Sequence, residues 1–357
     1  MSADVPARMD ALGRDDQLGS AVEVRLANGV RAAYLRTGGG LDALVVLDRS
    51  MDIAWCNAFG IPVVWHGPGG ILPPHPGTLN DDEFQRRFFG GLVTTCGLQA
   101  FGPSGSDAYG SWGTHGHINH IAAEACLCAT VLDCEVPYVE IRGVVHQARM
   151  FGESLRLDRT WRAPLGGCEL FLRDVVTNEG GRSEPHMLLY HCNAGYPLVD
   201  ENAEVFVSHS SMRPRDDAAK AGSAVWNRGG PPDAAFAEQV FIHTAKARED
   251  GWAVAGVFNR TVAGGLGFAV HFRPEQLATC FSWRMLGART YVLAVEPANC
   301  PVIEGRIVAE REHVLPFLEP GESRTYELRF EMLHGPGAGR YAELSKNDAS
   351  RDSGRTA

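Results

Sequence analysis

The chain has 357 residues, 45% hydrophobic and 21% charged, a composition that supports a sizeable folded core and excludes a disordered or fibrous protein. A formal charge of -10 without clustered Lys and Arg argues against nucleic acid or an anionic membrane as partner, because neutralising phosphates needs a basic surface. No apolar stretch suits a signal peptide or a bilayer span, and nine cysteines without a C-x-x-C pair suit reduced apolar residues, so the sequence reads as cytoplasmic.

In chain order, residues 1–18 read as a disordered tail. Residues 21–36, "AVEVRLANGVRAAYLR", form two strand-like runs around Asn28-Gly29, a dipeptide that accepts the positive φ of a tight hairpin turn. "DALVVLD" (42–48) and "PVVW" (62–65) follow as strands, then a short helix over 81–89 with Asn80 as its cap. "PYVEIRGVVHQARM" (137–150), "ESLRLDRTWRA" (153–163) and "CELFLRDVVTN" (168–178) alternate apolar and polar residues with period two, which marks a sheet with one buried face. Further strands are "HMLLYHC" (186–192), "GWAVAGVFN" (251–259), "GFAVHF" (267–272), "TYVLAVEP" (290–297) and "RTYELRFEML" (324–333), with a second helical turn at "PEQL" (274–277). Long alternating strand–helix units are absent. The fold class is therefore all-β, a large antiparallel β-sandwich with few short helices, formed by one domain over residues 19–340 and followed by a polar, disordered tail over 341–357.

Three places carry candidate chemistry. "GTHGHINH" (113–120) holds His115 and His117, which on an extended strand would project to the same side and offer a two-point grip. That grip suits a metal ion, a proton-transfer site or simple loop hydrogen bonding, and the residues alone leave these open. "LLYHCNAGYPLVD" (188–200) ends an apolar strand in His191 and Asn193. "YVLAVEPANCP" (291–301) carries Glu296 at the end of a hydrophobic run, where desolvation raises a carboxyl group's proton affinity towards general-base duty. Trp65, Trp112, Trp161, Trp252 and Trp283 are candidates for stacking on a ring, although tryptophan on a strand more often packs a core. "DRSMD" (48–52) reads as a solvated turn with a local ion pair, and Arg284 in "SWRML" as a strand residue able to reach a hydroxyl or carboxylate.

Taken together, "FFGGLVTTCGL" (88–98), "HG" at 115–116, "YHCNAGYP" (190–197) and the late "EP" at 296–297 resemble the aldose 1-epimerase, or galactose mutarotase-like, superfamily in a divergent bacterial branch, over roughly residues 20 to 335. The resemblance implies the galactose mutarotase-like supersandwich, a free sugar as substrate, and anomer interconversion by cofactor-free ring opening. It further implies His191 as general acid and Glu296 as general base, on opposite sides of the sugar. His115, with His117 and Asn193, would hold the substrate. The family's arginine has no clean match here; Arg86 or Arg87 is a candidate, with Arg284 as another substrate contact. Two other readings stand beside this one. A divalent metal held by His115, His117, His191 and Glu296 would support isomerisation, epimerisation or elimination on a keto-sugar or other oxidised sugar, and a non-catalytic carbohydrate-binding protein would use the same scaffold. The oligomeric state is not specified by the sequence.

Overall fold

Strand Ser154–Pro164 buries Leu155, Leu157, Arg159, Trp161 and Ala163, with partly or fully exposed residues between them. This period-two pattern recurs through an eight-stranded antiparallel sheet. The computed structural model describes residues 11–75, 77, 80–341 and 343. In spatial order the sheet runs Ala203–Val207, Ala253–Asn259, Leu266–Phe272, Ser323–His334, Glu169–Asn178, Ser154–Pro164, Tyr138–Ala148 and Glu124–Val131. A six-stranded sheet packs against it, in the order His209–Pro214, Gln239–Ala245, Thr279–Gly287, Thr290–Ala298, Leu189–Ala194 and Thr94–Cys96. A five-stranded sheet formed by residues 20 to 62 adjoins both. The expected all-β antiparallel sandwich is thus the observed architecture.

The main core lies between the sheets, with Leu157, Trp161, Leu172 and Phe330 from the larger meeting Tyr190, Cys192, Leu293 and Val295 from the smaller. Fully burying one such aliphatic or phenyl side chain contributes about 1.5–3 kcal/mol of transfer free energy. Strand alternation leaves the opposite face of the six-stranded sheet to a second cluster that includes Leu189, Phe281, Ala298 and Phe101. That second face carries the candidate site.

Several local expectations change. "DRSMD" is not a solvated turn: Asp48, Arg49, Ser50, Met51 and Asp52 are all buried. Asp52 joins Arg159 (2.7 Å) and Asp174 (2.6 Å from Arg159) in an ion network with zero exposure, to which Thr95 and the Tyr190 hydroxyl are hydrogen-bonded. Residues 274–277 form a turn rather than a helix, and of "PVVW" only Pro62 lies in a strand, Ile61–Pro62, with Val64 forming an isolated bridge to Ala194. Of the expected tails, residues 1–10 and 344–357 lie outside the described residues. Asp15–Gln17 forms a short 3-10 turn, and Tyr341 packs on the Phe206 ring at 5.5 Å. The nine cysteines are all free, and among the described residues no helix is long and apolar enough to cross a membrane.

Candidate functional site

The pairing of Leu189–Ala194 with Thr290–Ala298 matches Leu189 to Ala298 and Cys192 to Val295, which leaves His191 directly across from Glu296. Tyr190, Cys192, Leu293 and Val295 point into the main core, so His191, Asn193 and Glu296 project to the other face. His191 Nε2 lies 3.3 Å from Glu296 Oε1, and their side chains are only 7% and 3% exposed. Around the imidazole stand Phe88, Trp283 and His115, with ring centroids 5.1, 5.4 and 5.9 Å away. Trp65 completes the enclosure by packing on Phe88 and Trp283.

Local sequence explains each placement. Helix Asp81–Arg87 begins where Asn80 accepts the Glu83 amide, and its three acidic first-turn residues and two basic last-turn residues complement the helix dipole. Phe84 and Phe88, one turn apart, then stack at 5.3 Å and reach His115 and His191 respectively. His115 (φ 59°) and Gly116 (φ 76°) both take left-handed backbone. A Cβ at Gly116 would collide with the Gly97 carbonyl, so glycine is required for this turn to bridge against residue 97.

That turn breaks the expected strand through "GTHGHINH", and the two histidines part company. His115 joins His191, whereas His117 sits half-buried near Ser111, Arg149, Glu153 and Arg306. His117 therefore lies apart from the His191–Glu296 pair, on the other side of the turn. Among the described residues, no three His, Cys, Asp or Glu side chains are grouped so that they could hold a metal ion, so the four ligands considered above do not form a set.

The arginine assignments change as well. Arg87 donates to the Pro73 carbonyl and lies beside Arg49 and His120. Arg284 shares strand parity with Cys280 and Leu286, and so points away from Glu296 towards the Arg228 carbonyl and Gln239. The residues that do reach the site include two of the stacking candidates, Trp65 and Trp283, and three that the sequence left without a role, Phe88 and the rim pair Glu238 and Arg215. Trp283 Nε1 donates to Glu238 at 3.1 Å, and Arg215 pairs with Glu238 at 2.9 Å. Only the parity of Trp283 with Phe281, cross-strand from Glu296, could have pointed to it.

Burial, reinforced by the negative charge of Glu238, pushes the Glu296 carboxyl up to about 8, with Arg215 opposing. Burial, helped by His115, lowers His191 well below the ordinary imidazole value, with the neighbouring Asn193 side chain opposing. Burial likewise lowers His115 to about 4. Near neutrality the pair therefore holds one proton, resting on the carboxyl, beside a neutral imidazole. His191 Nδ1, Asn193 Oδ1 and Glu296 Oε1 are buried without a hydrogen-bond partner. Buried polar atoms are rarely left so, and a concentration of three in one aromatic enclosure suits recognition of a polyhydroxylated ligand.

Residues 27–332 match the model of a family described as Domain of unknown function (DUF4432). No curated protein matches the sequence. Among solved structures, the fold is similar to that of a Klebsiella pneumoniae protein provisionally named an aldose 1-epimerase, with TM-score 0.82 and 20% identity over 96% of this chain and 94% of that one. A galactose mutarotase-like protein from Clostridium acetobutylicum matches with TM-score 0.60 and 12% identity, covering 88% of this chain and 98% of the other. The Salmonella typhimurium protein YeaD, provisionally named a mutarotase, matches with TM-score 0.56 and 10% identity over 91% and 98%. At these identities the likeness concerns the fold, which is that of the galactose mutarotase-like proteins.

Proposed function

The chain belongs to the DUF4432 family on a galactose mutarotase-like fold, and from that footing we propose that it is an isomerase that interconverts the anomers of a free sugar by acid–base ring opening. The observation that carries this reading is the enclosed His191–Glu296 contact of 3.3 Å, between two titratable groups whose proton affinities burial shifts in opposite directions. The ring oxygen and the anomeric hydroxyl of a sugar are bonded to the same carbon. Side-by-side groups on neighbouring strands therefore suit them, in place of the expected arrangement on opposite sides of the sugar.

Neutral His191 takes the proton of the anomeric hydroxyl while the protonated Glu296 carboxyl gives its proton to the ring oxygen. The C1–O5 bond opens to the aldehyde, rotation about C1–C2 exposes its other face, and the reverse transfers close the ring as the other anomer. These resting roles reverse those implied by the family resemblance, for a physical reason: burial favours the neutral pair over the charged one. Each group acts as acid in one direction and base in the other, so neither assignment alters the reaction. Trp283, Phe88 and Trp65 offer apolar ring faces against which a pyranose can lie. The mechanism needs no metal or organic cofactor.

The test is polarimetry or NMR exchange on freshly dissolved glucose, galactose and related free sugars. The wild-type protein accelerates equilibration of at least one, and Glu296→Gln slows that reaction by about 10²–10⁴-fold, the usual share of one acid–base group. Sugar binding without acceleration in the wild type would instead favour a carbohydrate-binding protein.

A further inference from the structure

On the sandwich face turned away from His191, the eight-stranded sheet carries a groove of about 670 Å³ lined by Tyr138, Arg162, Phe171, Arg173, Trp252 and Arg273. Strand alternation creates it. Arg162, Phe171 and Arg173 alternate with the buried Trp161 and Leu172, and the register sets Arg173 between Thr160 and Glu327. Two guanidinium groups sit over aromatic rings, Arg162 at 4.9 Å from the Tyr138 centroid and Arg273 at 4.3 Å from that of Trp252. A cation held against a ring face can still direct N–H groups to an anion.

The acids facing these cations pair with Arg162 and Arg273, and Glu327 is also the cross-strand neighbour of Arg173. Glu140 binds Arg162 through Nε at 2.6 Å. Glu327 and Glu275 stand 3.6 and 3.9 Å from Arg273, beyond hydrogen-bond distance. Arg173 has no ion pair or side-chain hydrogen bond to any described residue. An exposed guanidinium without an ion pair, in a groove also lined by Phe171 and Trp252, keeps its N–H groups available to an anion. The volume falls within the range of ordinary small-molecule pockets, about 300–1,000 Å³.

We propose that this groove is a second ligand site, separate from the His191–Glu296 centre, for a monosaccharide-sized ring that carries a carboxylate or phosphate. Arg173 and Arg273 take the anionic oxygens, and Trp252 and Phe171 take the ring face. The site binds a charged relative of the sugars that the opposite face would process, which suits a ligand that modulates or retains substrate.

The full-length protein is titrated calorimetrically with galacturonate, glucose 6-phosphate, inorganic phosphate and neutral glucose. Saturable, salt-sensitive binding of an anionic sugar is expected, weakened about ten- to hundredfold in Arg173→Gln, as for loss of a charge-assisted hydrogen bond. Galacturonate binding more tightly than glucose 6-phosphate assigns the site to carboxylates, and the reverse order assigns it to phosphates. Because Arg173 is exposed and distant from His191, the variant keeps the wild-type melting temperature and any anomer-interconverting activity. Absence of binding by both anionic sugars overturns the proposal. So does unchanged affinity in Arg173→Gln, or inorganic phosphate binding as tightly as the sugar phosphate.

Discussion

Trp283 donates its indole N–H to Glu238 at 3.1 Å, and the same carboxylate faces Glu296 closely enough to raise its proton affinity. The residue that anchors an aromatic wall thus also tunes the acid. Glu238→Gln keeps a side-chain oxygen for the indole and removes the charge, so the carboxyl of Glu296 ionises at lower pH. The alkaline limb of the activity profile moves down by about 0.5 unit, the scale of one partly solvated charge. An unmoved limb with unchanged activity would separate Glu238 from the chemistry.

The pH dependence follows from the pair's single proton. Loss of that proton as pH rises through about 8 removes the acid, and gain of a second one, well below the ordinary imidazole value, removes the base. Activity is expected to be near its maximum from about pH 6.5 to about 7 and to fall to about half near pH 8, as read from initial rates of anomer exchange. A maximum at pH 9 or higher would contradict it. The profile reports the pair and does not say which partner carries the proton; a carboxylic acid band in the infrared spectrum at pH 7, absent from Glu296→Gln, locates it on Glu296.

Glu296 costs stability where it is useful. Its folded-state affinity lies above the ordinary carboxyl value of 4.5, so nothing is lost while both states are protonated. As pH rises from there through about 8 the unfolded chain ionises first and folding weakens, by at most roughly 3 kcal/mol at pH 7. Glu296→Gln is expected to melt above the wild type at pH 8 and level with it at pH 4. A melting difference independent of pH would refute the linkage.

Buried histidines act in the opposite direction. His115, His186, His191 and His243 all have lowered proton affinities, chiefly through burial. A depressed value gives stability that is present above the unfolded value of about 6.5 and is lost as pH falls through the folded one. Thermal stability is expected to drop steeply between pH 6.5 and about 4, and flat melting temperatures over that window would count against these placements.

The ion network beneath the site sets a further test. Arg159 has zero exposure and joins Asp52, Asp174 and Thr95, and Thr95 is the cross-strand neighbour of Tyr190, next to His191. Arg159→Met leaves two buried carboxylates without their cation and is expected to cost about 3–5 kcal/mol in denaturant unfolding. Replacing Asp52, Arg159 and Asp174 together by apolar residues of similar volume is expected to recover much of that loss. Failure of the triple variant to exceed Arg159→Met would show that the network does more than satisfy itself.

Local sequence determined the parts that need only neighbours along the chain. Period-two alternation marked Ser154–Pro164 and Glu169–Asn178, Asn28-Gly29 marked the first hairpin, and Asn80 marked the start of helix Asp81–Arg87. The order of His115, His191 and Glu296 pointed to one cluster, and the three do lie together. Tertiary structure decided what periodicity cannot encode. Left-handed backbone at His115 and Gly116 turned His117 away, strand parity sent Arg284 to the reverse face, and a full shell of sheet and loop buried "DRSMD" against Arg159. Strand and turn preferences act over a few residues. Which side of a sheet meets which helix, and how far a carboxyl group is stripped of water, depends on elements far apart in the chain.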